Sequence, residues 1–168
     1  MSRCPECSYD YESLGRAEIG HAVLALADEH RLLLAFVPPG RLRAHPRPAS
    51  WSVLEYACHV RDVLRIQRQR VALALAQDTP RFVAMRRDER AVEERYNEQD
   101  PALVAAQMTH AARQFAAALG ELDDDGWMRT GVYLWPAPAI RTLEWVGRRT
   151  AHELAHHWFD DRRLLNSA

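Results

Sequence analysis

Apolar residues recur at helical spacing in four stretches of this chain. In the first, roughly Ser13 to Val37, Ile19, Val23, Leu26, Leu33 and Leu34 fall on one stripe, and Pro38-Pro39-Gly40 ends it. A Pro- and Arg-rich loop, GRLRAHPRPAS, follows. The second stretch opens with Ser52 and Glu55 at capping-box spacing, with Trp51 and Tyr56 placed as a hydrophobic staple, and runs to about Ala76. The third begins at Asp100 as N-cap with Pro101 in the first helical position, and continues to about Leu122. The last spans about Ile140 to Leu165.

The connections are less regular. QDTPRFVAMRRDERAVEERYNEQD, between the second and third stretches, is charged and predicts an excursion with a short helix or turn. DDDGWMRTGVYLWPAPA carries turn signals at Asp125-Gly126 and at Pro136 and Pro138. No internal repeat, low-complexity tract or alternating strand pattern stands out. The expected architecture is all-α: a four-helix bundle with a long connection between the second and third helices. In such a bundle, metal and ligand sites are built by side chains that face inward from different helices. Two parts are expected, a CxxC segment over residues 1–12 and the helical bundle over 13–168.

Composition narrows the picture by exclusion. The chain has 168 residues, 48% apolar and 27% charged, which suits one soluble domain with a real core. A net charge of -1 gives no electrostatic case for nucleic acid or an anionic membrane surface. No apolar run approaches the roughly 18 residues of a membrane span. The N-terminus lacks the apolar core of a signal peptide, and three cysteines without secretory context favour a reducing cytoplasm. All 22 basic residues are arginine, which excludes Schiff-base and catalytic-lysine chemistry.

Candidate chemistry concentrates near the end, in RRTAHELAHHWFDDRR, Arg148 to Arg163. Residues four apart on a helix lie about 40° apart round the axis, so His152 and His156 can address one ion from successive turns. His157 is rotated about 100° from His156 and is expected to point elsewhere. A solvated helix face is the alternative reading of the pair. The second helix carries His59 in YACHVRDV, inside an apolar run, where it is either a satisfied core histidine or a third nitrogen ligand. Asp62 and Asp160 are spaced to orient an imidazole, or else to pair with nearby arginines. His21, His30, His45 and His110 have no paired context and read as surface residues. Trp145 and Trp158 read as packing residues.

WSVLEYACHVRDV, with Trp-Ser opening a helix and a histidine eight residues after the tryptophan, resembles the second helix of the DinB/YfiT-like metal-dependent bundle superfamily. WVGRRTAHELAHHWFDD resembles that family's last helix, and RYNEQDPALVAAQMTHAARQFAAALGELDDDGWMRTG its third helix and following loop. The resemblance covers about Ser13 to Leu165 and implies His59, His152 and His156 as metal ligands. Three neutral imidazoles leave an ion its charge and an open position, the pattern of a catalytic site. Zinc is the default for such a set, and nickel or iron also suit imidazole.

The resemblance further implies a transferase or isomerase. It would use a low-molecular-weight thiol, mycothiol or bacillithiol, bound at the metal to attack a small electrophile. A metal-dependent hydrolase and a non-catalytic metal-binding stress-response module are the alternatives. Arg148, four residues before His152, could hold a carboxylate of cofactor or substrate, or be an exposed arginine. A homodimer through helix faces is compatible with the pattern and not specified by it. Cys4 and Cys7 form half of a zinc-ribbon knuckle. They read as a second metal site completed by a histidine or by another subunit, as a redox pair, or as free thiols in a local hairpin.

Overall fold

The computed structural model describes residues 3–45 and 50–166, so residues 46–49 of the Pro- and Arg-rich loop lie outside the described part. Among the described residues there are seven helices, four of them long: α1 (Arg16–Phe36), α3 (Val53–Ala76), α5 (Pro101–Gly120) and α7 (Leu143–Asn166). Three are short: α2 (Pro39–Leu42), α4 (Arg87–Glu93) and α6 (Asp124–Met128). The Pro-Pro-Gly stop therefore ends the first helix but starts a further helical turn. A proline at the first helical position lacks only an N–H that would have no partner there.

Local chemistry sets the helix ends. The Ser52 side chain accepts from the Glu55 N–H at 3.2 Å, and Glu55 accepts from the Ser52 N–H at 2.7 Å. The Trp51 and Tyr56 rings meet at 5.5 Å beside that cap. Asp100 accepts from the N–H groups of Ala102 and Leu103, and Thr142 Oγ1 accepts from the Trp145 N–H at the start of α7.

Around the bundle the neighbours run α1–α5–α3–α7: α1 and α3 each pack on both α5 and α7, and touch each other only weakly. Consecutive long helices thus stand diagonally in two of three cases, which requires crossover connections over the bundle ends. The long stretch between α3 and α5, with α4 and a 3-10 turn at Tyr96–Glu98, instead joins two neighbouring helices. The stretch between α5 and α7 holds α6 and an antiparallel hairpin, β1 (Thr130–Tyr133) and β2 (Ala139–Thr142), which the hydrophobic pattern does not predict. With four residues each and a single buried position between them, Gly131, these strands are too short to alternate visibly. Among the described residues no helix is long and apolar enough to cross a membrane.

The core runs through Ile19, Val23, Leu54, Leu64, Met108, Phe115, Val146 and Leu154, all buried. Several polar groups inside it are paired. His30, expected at the surface, is only 1% exposed. It links α1 to α7 through Asp161 Oδ2 at 3.1 Å and the Leu154 carbonyl at 3.0 Å. Asp62 does not orient His59. It receives Arg61 Nε at 2.8 Å and the Tyr96 hydroxyl at 2.6 Å.

Candidate metal centre

The buried stripe of α7 decides which histidines look inward. The buried residues are Leu143, Val146, Gly147, Thr150, Ala151, His152, Leu154, His157 and Asp161. All but His152 lie within about 80° of Leu143 around the axis, and His152 is buried instead against Tyr9 and Tyr11. At 100° per residue, His152 lies about 180° from Leu143 around the axis, and His156 about 140° away on the same outer side. The two expected ligands of the last helix therefore face away from α3, and His157, expected to point elsewhere, faces it.

Within the bundle, His59 of α3 meets Glu153 and His157 of α7, their ligand atoms all within 4.8 Å of one another. Glu153 Oε2 stands 3.9 Å from His59 Nε2 and 3.6 Å from His157 Nε2. His59 and His157 are 3% and 4% exposed. Asp160 Oδ2 lies 3.2 Å from His157 Nδ1 and 3.5 Å from His156 Nε2, placed to orient either imidazole. Buried His59 Nδ1 has no hydrogen-bond partner. Trp51 stands edge-on to His59 at 5.2 Å, and Tyr56 stacks on His157 at 5.0 Å.

Charge in this cluster is strongly organised. Burial works against the Glu153 carboxylate, yet His157, His59 and Arg149 hold its pKa well below the usual range. Burial also works against protonation of His157, and hydrogen bonds to Asp160 and Glu153 overcome it, lifting the pKa to about 9. His59 shifts down, chiefly through burial. The donor set fits a divalent cation: two imidazoles and an ionised carboxylate converge from two helices at separations that one ion can span.

A second cluster lies on the outer side of α7, where Cys4 and Cys7 join His152 and His156, again with all ligand atoms within 4.8 Å. Here Tyr9 and Tyr11 pack on the His152 ring at 5.4 and 4.7 Å. His152 drops to about 4 through burial and the adjacent Arg149 charge. For Cys4, burial raises the pKa but the backbone amides of Cys7 and Glu6 prevail and lower it, whereas burial raises Cys7. All three cysteines are free thiols, and Cys58, pushed up to about 12 by burial, sits against the Tyr96 carbonyl away from both clusters.

The expected trio of His59, His152 and His156 is thus divided between the two clusters. Arg148 is occupied elsewhere: it donates to the Leu14 carbonyl at 3.1 Å and pairs with Glu144 at 2.9 Å. Its neighbour Arg149 is the guanidinium at the site, touching both His152 Nδ1 and Glu153. The signal for Glu153 and His157 is present in HELAHH, where Glu-x3-His is interleaved one residue behind His-x3-His. Extending the apolar stripe from Leu154 by three residues selects the second pair.

Two cavities lie off the clusters. One of about 820 Å³ opens beside α1, α5 and α6, lined by Gly20, His21, Arg113 and Trp127. Another of about 760 Å³ reaches the site's margin at Trp51, between α3, α4 and the 3-10 turn.

The fold is a four-helix bundle, and two of its helices share a histidine–carboxylate cluster that could hold a metal ion. The DinB superfamily model matches residues 19–158, and the chain belongs to that superfamily. Among solved structures it is similar to YfiT from Bacillus subtilis, described as a probable metal-dependent hydrolase with an unusual four-helix bundle topology. The TM-score is 0.81 at 19% identity, over 92% of this chain and 90% of that one. It is also similar to a mycothiol-dependent maleylpyruvate isomerase, with a TM-score of 0.72 at 14% identity, over 89% of this chain but 62% of that one. No curated protein matches the sequence.

Proposed function

We propose that this chain is a divalent-metal-dependent enzyme whose ion is held by His59, Glu153 and His157. In this reading it activates a low-molecular-weight thiol such as mycothiol for transfer to a small electrophile, or for thiol-dependent isomerisation. The observation that carries the reading is the convergence of His59 Nε2, Glu153 Oε2 and His157 Nε2 inside the bundle. Three protein ligands of this kind leave coordination positions open, as catalytic sites require and closed structural sites do not. A bound divalent ion supplies Lewis acidity that lowers the pKa of a thiol or a water towards neutrality.

The chain's own residues arrange the rest. Asp160 accepts the Nδ1 proton of His157 and so aims Nε2 at Glu153 and His59, where an ion would take the place of the Nε2 proton. Arg149 keeps Glu153 ionised and fixes its orientation. Trp51 and Tyr56 wall the two imidazoles and exclude bulk water. Arg87, whose guanidinium lies 5.7 Å over the Trp51 ring, adds positive charge suited to a carboxylate on the thiol or the electrophile. Zinc suits the donor set, and nickel or iron also suit it.

A hydrolase acting through a bound water is the second reading, favoured by the similarity to YfiT over 90% of its chain. Calorimetry of the metal-loaded protein with mycothiol and bacillithiol, beside a panel of esters and amides, separates the two. Saturable thiol binding that disappears in His157→Ala supports thiol chemistry, and turnover of the panel without thiol binding supports hydrolysis. Neither result would leave a non-catalytic metal-binding module. Unchanged metal stoichiometry at this site in His157→Ala would refute the ligand assignment itself.

A further inference from the structure

We infer that Cys4, Cys7, His152 and His156 form a closed structural zinc site that fastens the N-terminal segment to the outer face of α7. Its ligands follow the C-x2-C and H-x3-H spacing of Cys2His2 sites, with the two halves at opposite ends of the chain. None of them belongs to the His59–Glu153–His157 cluster, so the inference stands independently of the catalytic reading.

The N-terminal segment is built as a metal knuckle. The Ser8 N–H donates to the Cys4 carbonyl at 2.9 Å, and the Cys4 N–H to the Tyr9 carbonyl at 2.8 Å, closing a tight turn. Ser8 adopts the left-handed conformation, with φ of 60°, and an antiparallel bridge between Arg3 and Asp10 closes the base. This turn folds both thiols to the same side, against α7.

The opposing half is a helical pair. His152 and His156 stand one turn apart, their rings 5.4 Å from each other. Cys4 Sγ lies 3.8 Å from His156 Nδ1. Tetrahedral zinc with bonds of about 2.3 Å to sulfur and about 2.05 Å to nitrogen sets sulfur and nitrogen ligands roughly 3.6 Å apart. The spacing already approaches that of a metal shell. His156 Nε2 faces Asp160 at 3.5 Å and Glu6 at 3.4 Å, the carboxylate backing typical of a zinc-bound imidazole.

Charge balance fits burial of the ion. Two thiols each lose a proton to solvent on binding, and two thiolates with two neutral imidazoles neutralise a divalent cation. A neutral centre is compatible with Cys4 at 7% and His152 at 3% exposure. Tetrahedral sulfur–nitrogen coordination selects zinc, and four protein ligands leave no open position for chemistry.

Cobalt(II) reports the site, because only thiolate ligands give sulfur-to-cobalt charge-transfer absorption, and the inner cluster has none. The band should appear in the reduced full-length chain and persist in His59→Ala and His157→Ala. It should vanish in the His152→Ala/His156→Ala double variant, with one zinc fewer bound per chain. A wild-type chain without the band, or a double variant that keeps it, overturns the site. Should the double variant not fold, alkylation of the unaltered chain decides. Zinc should protect Cys4 and Cys7 from iodoacetamide and chelation should expose them, whereas equal labelling in both conditions sinks the inference.

Discussion

Asp62, Arg61 and Tyr96 put an ion pair and a phenol inside the bundle next to the α3 histidine. Burial raises the Asp62 pKa, but hydrogen bonds from Arg61 and Tyr96 and the charges of Arg61 and Arg65 outweigh it and hold the group below its ordinary value. A carboxyl with a depressed folded pKa contributes stability that is complete above the unfolded value, about 3.9, and is lost as pH falls through the folded value. Tyr96→Phe removes the 2.6 Å hydrogen bond and nothing else polar. A hydrogen bond to a buried charge contributes about 2 kcal/mol, so the variant should lose about that much in urea unfolding at pH 7. The loss should shrink as pH drops below about 4, because protonated Asp62 no longer favours the hydroxyl in the same way. A difference that stays constant from pH 7 to pH 3 would disprove the coupling.

At the scale of elements, the hairpin between α6 and α7 depends on a small residue. Gly131 of β1 faces the buried Phe82 ring, and a Cβ there would come within 2.2 Å of it. The same strand holds the Phe82 N–H through the Val132 carbonyl at 3.0 Å. Gly131→Ala must therefore push apart two tethered backbones. Overpacking of this kind costs about 1–3 kcal/mol, and thermal unfolding should place the variant in that range below wild type. No alternating pattern announces these strands, because each has four residues and Gly131 packs on Phe82 from a distant segment.

The helices differ in this respect. The Ser52–Glu55 and Asp100–Pro101 start signals are local, and both mark the helix starts found in the fold. In α7 the sequence marks the stretch but not the side that faces α3. HELAHH holds two candidate ligand pairs offset by one residue, and four-residue spacing alone cannot say which pair faces α3. The phase of the buried stripe through Leu154 and His157 can. Nor could spacing bring Cys4 and Cys7 to α7, since their approach depends on the turn at Ser8 and on chain ends far apart in sequence.

For the whole molecule, the inner cluster joins α3 to α7, which the bundle packing also joins, and the outer cluster holds the N-terminal segment against α7. A ligand that binds only the folded state stabilises it by RT ln(1 + [L]/Kd), about 1.4 kcal/mol for each tenfold rise once the site is saturated. Two independent sites double that dependence. Unfolding free energies measured in urea at buffered free zinc should therefore rise by about 2.8 kcal/mol per tenfold zinc in the wild type. Either single-site variant, His157→Ala or His152→Ala/His156→Ala, should halve the slope to about 1.4, leaving the m-value unchanged because the surface exposed on unfolding is the same. Combining the substitutions should flatten it. A wild-type slope already at the one-site value, lost completely in one variant and unaffected in the other, would assign a single ion to whichever cluster the sensitive variant removes, and the other cluster would hold its residues together by hydrogen bonds alone.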